Sequence, residues 1–201
     1  MTEMRKPFEY YQTPEKLVKA CVDYLLKFPH PEIVVDAGAG EGQWGVGVRD
    51  HLYPPPVLIG VDDYFTGTEN DRQSAYYNDW VNVDFLDYEP DRPVDWVIGN
   101  PPFSLATEFI IKGLSIVKRN GIVAFTLPHA FPYSNKRVDM FWFNNRFNPN
   151  YNKYFVEMAC INPRPSFTGD GKTSVRQDFA LYVFQNNTKL GRHPTVHWLK
   201  W

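Results

Sequence analysis

Apolar residues follow a helical period from Glu15 to Phe28, where Leu17, Val18, Cys21, Val22, Leu25 and Leu26 share one face. Thr13-Pro14 in front of them supplies an N-cap and a first-turn proline, and Pro29 and Pro31 stop the helix. The pattern then changes. Ile33-Val34-Val35 is a short apolar strand ending in Asp36, followed by a glycine-rich turn over 36–42 and a predicted helix to about Leu52. Val57 to Val61 is a second strand, ending in Asp62-Asp63, and 64–79 is polar and aromatic without a period. Val81-Asn82-Val83 predicts a short strand before Asp84-Phe85-Leu86, and Val94 to Gly99 another, ending at Asn100-Pro101-Pro102-Phe103. Leu105 to Lys118 reads as a helix with Phe109, Ile110, Leu114 and Val117 on its apolar face. Gly121 to Leu127, Tyr154 to Ile161 and Phe179 to Phe184 are the remaining strands. Strands alternate with helices over the first two-thirds, which predicts an α/β fold: a mostly parallel sheet with helices on both faces. The last two strands have no helix between them, which predicts an antiparallel hairpin at the edge with 162–178 as a long loop.

Length sets the frame for these elements. With 201 residues the chain makes one domain, 1–201, with 1–13 as an N-terminal arm and 186–201 as a C-terminal tail. Lys plus Arg number 21 and Asp plus Glu 23, a formal net charge of -2, which excludes a strongly basic protein that coats nucleic acid and leaves room for a local basic patch. A hydrophobic share of 43% against 22% charged residues excludes a disordered chain. Cys21 and Cys160 have apolar neighbours and are expected to be buried thiols; with His193 and His197 far from either, no metal site is expected. The first residues lack an apolar stretch, and no apolar run approaches the roughly 20 residues that span a membrane. The expectation is a soluble, cytoplasmic protein.

Chemistry concentrates where strands end. In a doubly wound sheet, ligands bind beyond the carboxyl ends of the strands. Asp36-Ala37-Gly38-Ala39-Gly40-Glu41-Gly42 places bare backbone at that edge, which lets a ligand approach closely. Gln43 and Trp44 follow where a triphosphate-binding loop needs Lys and Ser or Thr. Asp62, about twenty residues on from the glycines, can accept hydrogen bonds from ribose hydroxyls. Glycines and acid together do not separate a dinucleotide from another adenosine-containing cofactor, and the glycines alone are equally a plain strand-to-helix turn. Asn100-Pro101-Pro102-Phe103 is more specific. Two prolines stiffen the turn and donate nothing, their carbonyls and the Asn100 side-chain oxygen accept, and Phe103 offers a flat face. That set suits a planar ring bearing an amino group: both amino hydrogens find acceptors and the ring finds a stacking partner.

With these residues in order, the chain resembles the S-adenosylmethionine-dependent amino-methyltransferases of the adenine-N6 group over roughly residues 10–185. Tyr11-Gln12-Thr13-Pro14 resembles the family's N-terminal Thr-Pro motif, near the methionine end of the cofactor. The Asp36 to Gly42 loop resembles motif I, with Asp36, Gly38, Gly40 and Gly42 at the cofactor, and Asp62 matches the ribose-binding acid. Asp84-Phe85-Leu86 resembles the motif whose Asp contacts the cofactor's adenine amino group and whose aromatic packs on that ring. Asn100-Pro101-Pro102-Phe103 matches catalytic motif IV, with Asn100 also beside the cofactor. The resemblance implies a Rossmann-like class I methyltransferase: a mostly parallel seven-stranded sheet with helices on both faces and an antiparallel edge strand. It implies S-adenosylmethionine as cofactor and methyl transfer to the exocyclic amino group of adenine in nucleic acid, with DNA favoured over RNA by the motif order. A base in duplex DNA must be flipped out and stacked, and Phe103 is the expected face.

Duplex-DNA enzymes of this arrangement carry a separate target-recognition domain, and no such segment is expected within these residues. Recognition then falls to loops, to a homodimer or recognition subunit, or to a substrate that needs little reading. Loop 128–153 carries Lys136, Arg137, Arg146 and Lys153 among Phe131, Tyr133, Trp142, Phe143 and Phe147. Loop 162–178 carries Arg164, Lys172 and Arg176 around Phe167, with Arg164 and Phe167 the expected substrate contacts. Core packing is the alternative for the aromatic residues of the first loop. His129 after Leu127-Pro128 is expected to be structural, the acids Asp62, Asp63, Glu69 and Asp71 to form a solvated loop, and the tryptophans of 196–201 to cap the core or meet a second copy. Methylation of RNA adenine, methylation of a protein glutamine amide, and a cofactor-binding subunit without activity are the competing functions.

Overall fold

The computed structural model describes residues 12–63, 76–135, 137, 154–165, 177–187 and 194–201. Helix α1 (Glu15–Leu25) buries Leu17, Val18, Cys21, Val22 and Leu25, the stripe predicted from the sequence. Its start differs from expectation. Thr13 makes no cap; Pro14 occupies that position, and its carbonyl accepts from the Leu17 and Val18 N–H groups. The helix also ends before Phe28, because a residue ahead of proline is driven out of the α region and the last bonds tighten to Leu26 N–H on Asp23 O and Phe28 N–H on Leu25 O.

The strands β1 (Ile33–Ala37), β2 (Val57–Val61), β3 (Asp79–Val81), β4 (Val94–Gly99), β5 (Val117–Pro128), β6 (Phe155–Asn162), β7 (Phe179–Gln185) and β8 (Thr195–Lys200) form one sheet in the order β3-β2-β1-β4-β5-β7-β6-β8. Only β7 runs against its neighbours. The hairpin of β6 and β7 is present as expected. The sheet has eight strands rather than seven, because β8, read from sequence as a tail, pairs parallel to β6 from Glu157–Thr195 to Asn162–Lys200. Leu199 is the reason: it is the one buried position of β8 and packs in the core that α1 covers.

Helices cover both faces. Val34, Leu58, Trp96, Ile98, Ile122 and Leu181 face α1 and α2 (Gln43–His51). Their alternate neighbours Val35, Val97, Val123, Phe125 and Tyr182 face α3 (Ala106–Ile116). Period-two alternation along strands thus fills two separate cores. Asp95 pins the edge away from the strands' C-terminal ends: one oxygen accepts from Glu32 and Ile33 N–H (3.1 and 2.9 Å), and the other is paired with Lys118. Cys21 and Cys160 are buried free thiols, as expected. Among the described residues no helix is long and apolar enough to cross a membrane.

Candidate active site

β1, β2, β4, β5 and β6 are parallel, so their C-terminal ends meet at one edge of the sheet. That edge carries the glycine loop after β1, Asp62 after β2, the Asn100 turn after β4, His129 after β5 and Arg164 after β6.

The glycine loop turns through left-handed backbone at Gly38, Gly40 and Gly42, with φ of 74°, 52° and 85°. Gly38 and Ala39 N–H donate to Val61 O (2.9 and 3.2 Å), which clips the loop to the end of β2. Asp62, also buried, accepts from Gly40 N–H at 3.0 Å through Oδ2. The ribose-type acid and the glycine loop are therefore one unit. Gln12 Nε2 donates to Glu41 Oε2 at 2.8 Å, so the chain beside Thr13-Pro14 also meets this loop, with Thr13 buried.

Asp36 is fully buried at the end of β1. Its Oδ2 accepts from the Tyr77 hydroxyl at 2.6 Å, and its Oδ1 has no hydrogen-bond partner among the described residues. Burial pushes its carboxyl up to about 7, the Asp62 charge adds to that, and the Tyr77 hydrogen bond opposes it. Tyr77 was absent from the sequence reading. Its only signal there was a tyrosine in a segment without periodicity.

β4 delivers the Asn100 turn to the same place. A Cβ on Gly99 would stand 2.6 Å from Ala37 O and 3.4 Å from Asp36 Oδ1, at φ 149°. Only glycine lets the two strand ends run this close. Asn100 is half-buried, with Oδ1 shielded from solvent. Pro102 O accepts from Leu105 N–H at 3.0 Å and closes a 3₁₀ turn over Phe103–Leu105. That bond engages one lone pair of the Pro102 carbonyl, one of the acceptors expected from the sequence. Phe103 is half-buried, its ring tilted against Phe179 with centroids 5.7 Å apart.

Other predicted residues take different places. Asp84 caps a 3₁₀ turn by accepting from Leu86 N–H at 2.9 Å. Phe85 offers no open ring face: it is buried in the α3-side core, 4.9 Å from Phe109 between centroids, where Tyr88 of the same β3–β4 link is buried as well. Arg164 stands at the expected edge, paired with Asp178 at 2.8 Å. Arg137 is held from three sides, by Thr107 Oγ1 (3.2 Å), Phe131 O (3.1 Å) and the Phe131 ring (4.1 Å), so it braces the turn after β5. Phe131 is core, whereas Tyr133 is exposed. His129 is anchored by backbone, its N–H on Asp178 O and its carbonyl accepting from Tyr182. Trp201 donates to Pro163 O at 2.7 Å and packs on the α1-side core, whereas Trp198 is 79% exposed. The expected contacts of Phe167, Lys136, Trp142, Phe143, Arg146, Phe147, Lys153, Lys172 and Arg176, the acids Glu69 and Asp71, His193 and residues 1–11 lie outside the described residues.

No protein-family model matches the chain. Over 135 residues, 65% of the chain, it is 22% identical to the trans-aconitate 2-methyltransferase of Azoarcus sp. (strain BH72). The match takes in 53% of that protein, so the chain spans about half the length of the curated relative it matches. Among solved structures it is similar to a candidate class I S-adenosylmethionine-dependent methyltransferase from Listeria monocytogenes, with TM-score 0.69, 14% identity, and 98% of this chain and 68% of that one covered. It is also similar to the type I restriction-modification system methyltransferase subunit from Streptococcus thermophilus, with TM-score 0.59, 16% identity, and 94% and 47% covered. These likenesses establish the Rossmann-like class I methyltransferase fold.

Proposed function

We propose that the chain transfers a methyl group from S-adenosylmethionine to the exocyclic amino group of adenine in nucleic acid, with DNA the favoured substrate. The observation that carries this reading is the meeting of two motifs. The Asn100 turn lies against the end of β1, where the glycine loop starts, with Gly99 permitting the approach. Likeness to methyltransferases of several substrate classes supports the reaction type, and the restriction-modification subunit supports nucleic acid.

The residues at the loop fit such a cofactor. Left-handed backbone at Gly38, Gly40 and Gly42 shapes the loop, Asp62 presents a carboxylate fixed by Gly40, and the buried Asp36 Oδ1 suits a cationic group. When bound, S-adenosylmethionine supplies a sulfonium-activated methyl group. The protein's part is placement. Asn100 Oδ1 and Pro101 O accept the two amino hydrogens, which turns the nitrogen lone pair out of conjugation with the ring. Phe103, steadied by Phe179, lies along one face of the base. The stiff proline pair keeps both acceptors in place without reorganisation.

The test is a methyl-transfer assay offering duplex DNA, single-stranded DNA, ribosomal RNA and protein extract in parallel, with the product placed by nucleoside digestion and mass spectrometry. N6-methyladenine from DNA is the expected result. Methyl on a glutamine amide, or on no adenine at all, overturns it. Asn100→Ala is expected to lower turnover at least 100-fold, the order that removal of a transition-state hydrogen-bond partner costs, with cofactor affinity nearly intact.

A further inference from the structure

Tyr77 belongs to no motif, yet the glycine loop is built around it. Its ring lies in a slot walled by glycines of three elements. A Cβ on Gly42 would stand 3.4 Å from its Cε2, one on Gly45 2.7 Å from Cζ, and one on Gly60 3.1 Å from Cδ1 and closer still, 2.6 Å, to Trp80 Cε3. Trp80 meets the ring edge-on at 5.4 Å between centroids. A side chain on Gly45 or Gly60 would close the slot, which accounts for two glycines inside regular elements, where they weaken helix and strand.

The slot fixes where the hydroxyl points. The phenol O–H donates to Asp36 Oδ2, 2.6 Å away. A donor held on Oδ2 favours carboxylate over carboxylic acid. Asp36 Oδ1 is left on the side of the Gly99–Asn100 turn, buried and with no partner among the described residues. The titratable groups acting on Asp36 are Tyr77, from the segment before β3, and Asp62, from the end of β2. From the Asn100 turn, the Gly99 backbone lies against Oδ1.

We propose that Tyr77 is a positioning residue that holds Asp36 as the counter-charge for a cationic ligand at the glycine loop, and that seating the cation expels one proton from Asp36. The inference rests on the S-adenosylmethionine reading of the loop. The Asp36 O–H bond breaks, its electron pair stays on the carboxylate facing the cation, and the proton passes to bulk water. The ligand itself undergoes no covalent change. Burial with Asp62 nearby keeps the free carboxyl protonated up to near neutral pH, whereas an added positive charge favours the anion.

Two measurements test it. Calorimetric titration of S-adenosylmethionine between pH 5.5 and 9, in two buffers of different ionisation enthalpy, is expected to show about one proton released at pH 6 and none at pH 9. Affinity is expected to fall about tenfold per pH unit below the Asp36 midpoint. In Tyr77→Phe the midpoint rises by about one unit, so affinity drops about tenfold at pH 6 and hardly at pH 9. A purely structural role would weaken binding equally at both. The second measurement needs no ligand: carbonyl-carbon NMR of labelled aspartate follows Asp36 directly in the free wild type and in Tyr77→Phe. An upward shift in the variant is expected. An unmoved midpoint, or ligand binding that releases no proton and is flat with pH, overturns the proposal, and the wild-type proton count decides even where the variant does not fold. Absence of S-adenosylmethionine binding at every pH would instead sink the cofactor reading, and the carboxyl titration would still decide the role of Tyr77.

Discussion

Replacing Asp36 with asparagine is expected to make the protein more stable and less able to bind its cofactor. The carboxyl is completely buried, and its pKa is raised from 3.8 to about 7. A raised acid pKa means that the folded state holds the proton more tightly than the unfolded chain. Stability is therefore highest below pH 4 as far as this group is concerned, and it is lost progressively as pH rises from about 4 to 7. The shift of roughly three units, at about 1.4 kcal/mol each, makes the loss about 4 kcal/mol above pH 7. Asparagine keeps an oxygen for the Tyr77 hydroxyl and removes the charge. Asp36→Asn should exceed wild type by up to about 4 kcal/mol at pH 8 and converge with it near pH 4.

The assay is urea unfolding at pH 4, 6 and 8, followed by the fluorescence of buried Trp44 and Trp96. The decisive quantity is the pH dependence of the difference between the two proteins, because all other titrating groups cancel. A variant less stable than wild type by the same amount at every pH would refute the reasoning. It would mean that Asp36 is ionised and well compensated in the folded state.

Asp62→Ala is expected to weaken S-adenosylmethionine binding by ~1–3 kcal/mol, the scale of hydrogen bonds to a charged group, and unchanged affinity by calorimetry would count against its role. The loss includes the Gly40 contact, so hydrogen exchange at the glycine loop should quicken in the same variant. Gly99→Ala should cost about 2–4 kcal/mol in chemical unfolding, since its Cβ would stand 2.6 Å from Ala37 O at φ 149°. Wild-type stability in that variant would mean that the β1 and β4 ends can part without penalty.

Much of the fold was legible because strands and helices bury one side at fixed periods. The stripe Leu17 to Leu25 and the runs 33–35, 57–61 and 94–99 fell where expected. β8 was missed although Val196-His197-Trp198-Leu199 alternates, because its pairing to β6 joins segments distant in sequence and only Leu199 is buried. Thr13 looked like a cap by residue type, but a carbonyl one residue later does the work and Thr13 is buried instead. Arg137 read as one of the basic residues of a candidate recognition loop, and local composition could not reveal that Thr107 and Phe131 engage it.

The candidate site divides along the same line. Glycines, strand-terminal acids and the Asn100 turn are local features, and their residue types alone pointed to a cofactor loop and an amine acceptor. Parallel strands then had to bring those ends to one edge, which periodicity predicts because parallel crossovers return each strand in the same direction. What charge Asp36 carries, and why, was not local. A carboxylate's state depends on solvent exclusion and on neighbours within a few ångströms, here Tyr77, 41 positions along the chain, and Asp62. The chain's own order of residues determined which groups reach the edge of the sheet; only close packing in three dimensions decided which of them are buried, paired and poised, because desolvation and hydrogen bonding act through space and not along the backbone.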